Sequence, residues 1–116
     1  MPPPPPPAGT PILTVGKSGA SASLTWTAVG GATGFDVATG DLGVLHATGS
    51  FQSSTQACLA GHAVDAAATD SSTTAAGIGR WFLVRAANCG GAGTYNDGTQ
   101  IGSRDPGIQA SPSHCP

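Results

Sequence analysis

Few side chains in this sequence could do chemistry: the cysteines Cys58, Cys89 and Cys115, the histidines His46, His62 and His114, and six aspartates with no glutamate. A hydrolytic triad needs a nucleophile, a base and an orienting acid, and the Gly-x-Ser-x-Gly turn that raises a reactive serine is missing from the sequence. Cleavage of a glycosidic bond by paired carboxylates would have to draw on Asp36, Asp41, Asp65 or Asp70, in a fold too small to enclose a deep cleft. Gly16-Lys17-Ser18 has the closing residues of a phosphate-binding loop, but Pro11 stands where that loop needs its first glycine, so the segment reads as a polar turn. Along the glycines Gly90 to Gly93, Asn96 takes the third glycine position of a dinucleotide fingerprint, and no helix follows to hold a pyrophosphate. Asn96-Asp97-Gly98 reads as a turn, with too few oxygen side chains to hold calcium. The cysteine spacings of 31 and 26 residues do not fit the paired C-x-x-C pattern of zinc and redox sites. The expectation is a chain without catalytic residues, metal or cofactor, and not an enzyme.

Composition narrows the class further. With 116 residues there is room for one core, and the formal net charge of −2 cannot neutralise a row of phosphates, which argues against nucleic acid as a partner. No apolar run approaches the roughly 20 residues of a membrane helix, so insertion into a membrane is not expected. The neutral, hydroxyl-rich surface suits an oxidising compartment, where one disulfide and one leftover thiol are expected; the alternative is three buried free cysteines packed as small hydrophobes. Met1 is followed by Pro2 to Pro7, a polyproline II rod rather than a signal peptide. Residues 1–9 therefore read as a proline-rich linker that tethers a domain over residues 10–116 to other domains of a longer exported parent chain, at the cell surface or outside the cell.

The elements that must position these residues are short strands. From Ala20 to Thr27, Ala22, Leu24 and Trp26 alternate with hydroxyl side chains, which predicts a half-buried strand. Phe35 and Val37 give a second strand over Gly34–Thr39, antiparallel to a neighbour. Arg80–Asn88 is the most apolar run and predicts a third, with Phe82, Val84 and Ala86 inward and Trp81 and Leu83 on the opposite face. That second face must be half-covered or stand open as a contact patch. Weaker strands are expected at Ile12–Val15, Val44–His46, Ala63–Ala68 and Gly107–Ala110, and helix only as a turn near Asp41–Leu45, with Asp41 as its cap. Short strands separated by turns predict an all-β antiparallel sandwich whose interior joins Trp26, Phe35 and Phe82.

Leu24-x-Trp26, Gly34-Phe35-x-Val37 and Val84-x-Ala86-x-Asn88 followed by Gly90 resemble, in order and spacing, a fibronectin type III domain, which carries the first pattern on its second strand and the last on its sixth. Leu24-Thr-Trp-Thr-Ala28, Gly40-Asp41-Leu42, Cys58-Leu59, Trp81-Phe-Leu-Val-Arg85, Asn88-Cys89-Gly90, Gly93-Thr94-Tyr95 and Cys115-Pro116 look like the C-terminal modules that follow proline-rich linkers in large secreted bacterial proteins. The resemblance implies an immunoglobulin-like sandwich and an extracellular location. Two features depart from it: Arg80 stands where such domains place the tyrosine of the strand corner, and the loop Gly90–Gly98 lacks Arg-Gly-Asp, so cell-adhesion recognition does not carry over. If the strand after Cys58 is the fifth of such a sandwich and Arg80–Asn88 the sixth, Cys58 and Cys89 lie at one end and form the bridge, leaving Cys115; the rival pairing is Cys89 with Cys115.

The function expected from this reading is that of a non-catalytic spacer or terminal interaction module. The alternative is a carbohydrate- or protein-binding sandwich using Trp81, Leu83 and Tyr95 with the Gly90–Gly98 loop as its contact surface. A spacer requires Trp81 to be covered, a binder requires it open beside Tyr95.

Overall fold

The computed structural model describes residues 5–7, 9–19, 21–70, 79–96 and 104–115. In chain order these form β1 (Leu13–Ser18), β2 (Ser21–Trp26), β3 (Gly34–Asp41), α1 (Leu42–Thr48), α2 (Phe51–Ser54), β4 (Thr55–Ala63), β5 (Ala67–Asp70), β6 (Arg80–Asn88), β7 (Gly91–Ala92) and α3 (Asp105–Ala110). The strands make two antiparallel sheets, ordered β1-β2-β5 and β4-β3-β6-β7.

Between the sheets lies the interior that the strand patterns demand. Leu24 and Trp26 of β2 meet Phe35 and Val37 of β3 and Val84 and Ala86 of β6, with Phe82 packed against them. The Trp26 and Phe35 rings meet edge to face at 5.7 Å, the arrangement their quadrupoles favour. Leu24 is fully excluded from water, so its truncation would cost about 2–5 kcal/mol.

The second face of the β3–β6 sheet is not open. Trp81, Tyr95, Ala38 and the α3 residue Ile108 form a second apolar cluster, with Leu45 of α1, Phe51 of α2 and Leu83 against it. The molecule therefore has a third, helical layer, and β3 is buried on both faces through Gly40. Gly40 is required by this closeness: a Cβ there would run into the Ser54 carbonyl and the Trp81 ring.

Three strand expectations are corrected. Val44–His46 belongs to α1, because the Asp41 carboxylate accepts from the Val44 N–H at 3.0 Å and Gly49, at φ 67°, closes the other end onto Leu45. The cap at Asp41 is as the sequence predicts, but the helix runs seven residues rather than a single turn. Gly107–Ala110 lies in α3, where Pro106 fits the first turn. Ala63–Ala68 is interrupted by a bend at Val64–Ala66, which separates β4 from β5.

The disulfide expectation is also corrected. Cys58 pairs with Cys115, with Cα atoms 4.8 Å apart, and Cys89 is a free, exposed thiol. Cys58 lies within β4 opposite Ala38, whereas Cys89 follows the end of β6, and β3 runs between those two strands. The Cys89–Cys115 alternative fails because Cys115 is bonded to Cys58.

Of the residues read as a linker, Pro5 accepts from the Asn88 side-chain amide at 2.9 Å, and Pro6 and Pro7 lie against Gly91 and Gly93. The same Asn88 amide donates to the Gly31 carbonyl at 2.9 Å, so one side chain ties the proline segment to the turn before β3.

Candidate functional site

Polar side chains converge on the outer face of β6. Alternation places Arg85 there beside Leu83 and Trp81, in a layer that excludes water, and a charge in such a layer needs a partner. The register sets Asp36 of β3 directly opposite Arg85, and Arg85 Nε donates to Asp36 Oδ2 at 2.9 Å with the side chains 8% and 5% exposed. Arg85 also donates to Gln109 Oε1 of α3 at 3.3 Å, and its guanidinium lies 4.8 Å over the Tyr95 ring. The second Asp36 oxygen accepts from the His62 N–H at 2.8 Å, which holds His62 at a φ of 49°, an uncommon backbone region for a residue with a side chain.

A second carboxylate supports the same layer. Asp105, at the start of α3, accepts from the Tyr95 N–H at 2.8 Å and from the Thr94 hydroxyl. Arg104 donates to the Tyr95 carbonyl at 3.0 Å. Tyr95 is 2% exposed and its hydroxyl has no hydrogen-bond partner among the described residues. Desolvation raises its pKa well above the ordinary tyrosine range; Arg85 opposes that shift, and Asp36 and Asp105 add to it. The arrangement holds a guanidinium between a carboxylate, an amide and a ring face. Its chemistry is that of a pin between the sheet and the C-terminal helix.

The residues named as a contact surface are placed as follows. Trp81 is 8% exposed, its indole N–H donates to Ser54 Oγ at 3.2 Å, and Phe51 packs edge to face on it at 5.3 Å. Tyr95 belongs to the same covered cluster, so the two rings form no platform open to water. Leu83 and Tyr95, but not Trp81, border a crevice of about 540 Å³ whose opposite wall is Thr10–Leu13. Of the Gly90–Gly98 loop, Asp97 and Gly98 lie outside the described residues, including part of the expected Asn96-Asp97-Gly98 turn.

His46 is exposed on α1 and His62 exposed on β4, while His114 lies against the Ser111 carbonyl at 2.6 Å, in three separate places. Among the described residues no group of three histidine, cysteine or acidic side chains is placed to hold a metal ion. No helix among them is long and apolar enough to cross a membrane. The Asp36–Arg85 pair was missed by sequence reasoning; the signal was an arginine inside Trp-Phe-Leu-Val-Arg-Ala-Ala, where a strand covered on both faces leaves a charge no water.

Comparison with known proteins finds no matching family model, no matching curated protein and no matching solved structure.

Proposed function

We propose that this chain is a non-catalytic, fibronectin type III-like sandwich acting as a spacer or terminal module of a secreted or cell-surface bacterial protein. Leu24-x-Trp26 on β2 and Val84-x-Ala86-x-Asn88 on β6 support the kinship, as does the division of strands. The first, second and fifth strands share one sheet and the third, sixth and seventh the other, with the fourth added beside the third, as in immunoglobulin-like sandwiches.

The observation that carries the mechanical reading is the Cys58–Cys115 bridge, which closes residues 57 apart in sequence. A pull on the chain beyond Cys115 passes through the sulfur atoms into β4. Strands β5, β6 and β7 and helix α3 all lie inside the covalent loop and are withdrawn from extension. At the other end, the Asn88 amide, Gly91 and Gly93 hold the proline segment against the sandwich. Extension is thereby confined to the residues before Cys58.

Single-molecule stretching from the two chain ends tests this. At about 3.5 Å per residue, the oxidised protein should release a contour of about 20 nm, and the reduced protein about 40 nm. Equal lengths in both states would reject the mechanical reading.

A further inference from the structure

The seam between the two sheets is unevenly closed. Ala86 gives its carbonyl to the Gly93 N–H at 2.7 Å, and Ala87 and Asn88 pair with Ala92 and Gly91. Beyond that point β7 has ended. Because main-chain groups alternate sides along an antiparallel strand, Val84 and Phe82 aim their N–H and C=O groups the same way as Ala86, away from β3. Among the described residues no strand pairs with them there. These two residues, with Leu83, form one wall of the 540 Å³ crevice; Thr10–Leu13 form the other, and Tyr95 and Arg104 stand beside it.

Two further observations concern the inner faces of β1 and β6. Val15 of β1 stands opposite the fully buried Leu24 and so faces inward, yet it is 51% exposed. Phe82 also faces the interior and is only partly buried. Among the described residues, no strand covers these two inward-facing side chains at the sheet edge.

We infer that this seam binds one extended peptide segment of a partner chain, which pairs with the edge of β6 that no described strand covers and lays small branched apolar side chains against Phe82 and Leu13. An extended backbone is the ligand that complements donors and acceptors repeating every second residue on one strand. The occupant is a single strand rather than the sheet edge of a second copy, because that edge is recessed between the Thr10–Leu13 wall and Tyr95. This inference does not depend on the spacer reading.

The test is residue-resolved amide exchange on the intact oxidised protein, with a peptide of alternating valine and threonine at millimolar concentration and a twin N-methylated at alternate residues. In the free protein the Phe82 and Val84 amides should exchange readily. The peptide should slow both at least tenfold, and the N-methylated twin should not. Four results would each overturn the inference: Phe82 and Val84 amides already protected in the free monomer, protection that follows protein rather than peptide concentration, equal protection by the two peptides, or no protection by either.

Discussion

Arg85 and Asp36 face each other across β6 and β3, Nε to Oδ2 at 2.9 Å, and this contact joins the middle sheet to the helical layer through Gln109 and Tyr95. A buried pair of this kind adds little over an apolar replacement, but removing one partner strands the other. Asp36→Ala should lower stability by about 3–5 kcal/mol in urea unfolding, whereas Asp36→Val combined with Arg85→Met should recover most of the loss. A single variant that unfolds at the wild-type urea concentration would mean that Arg85 has water around it.

Tyr95 gives the protein an alkaline limit. Its folded pKa is raised above the ordinary 10.0, chiefly by desolvation, so the folded state keeps the proton after the unfolded chain has lost it. The stability tied to this group is fully present below pH 10 and falls as pH rises above it, because there the unfolded state alone gains by ionising. Relative to Tyr95→Phe, the wild-type protein should lose up to about 1.4 kcal/mol per pH unit above that point. Parallel stability curves for the two proteins from pH 9 to 12 would place the hydroxyl in solvent.

Gly40 controls whether Trp81 can lie flat on the sheet. With a methyl group in place, the Ser54 carbonyl and the indole compete for the same space. Gly40→Ala should cost about 1–3 kcal/mol by overpacking and shift tryptophan emission to the red as Trp81 moves toward water. Unchanged emission would show that the helical layer yields instead of the ring.

How much of this was legible in the sequence depends on what each segment is covered by. Arg80–Asn88 was read with its full bounds because six apolar side chains in a nine-residue run leave few alternatives. The pattern Ala22, Leu24, Trp26 was legible because one face of β2 points to the core and the other to water. Val44–His46 and Gly107–Ala110 were misread because runs of that length carry no period of their own, and their helices are set by Asp41, Gly49 and Pro106 at the ends. The third layer left only an indirect trace, since Trp81 and Leu83 required a cover whose identity lies in distant segments. The disulfide was misplaced because its geometry depends on which sheet the Cys58 strand joins. That choice is made by β4 pairing with β3, a contact no local pattern encodes.

The central claim is that covalent closure runs from β4 to the C-terminal end of the fold. Digestion of the oxidised protein under non-reducing conditions, after alkylation of free thiols, tests it most directly by mass spectrometry. The account requires a linked peptide pair containing Cys58 and Cys115, with Cys89 alkylated. A linked pair containing Cys58 and Cys89, with the label on Cys115, would contradict it.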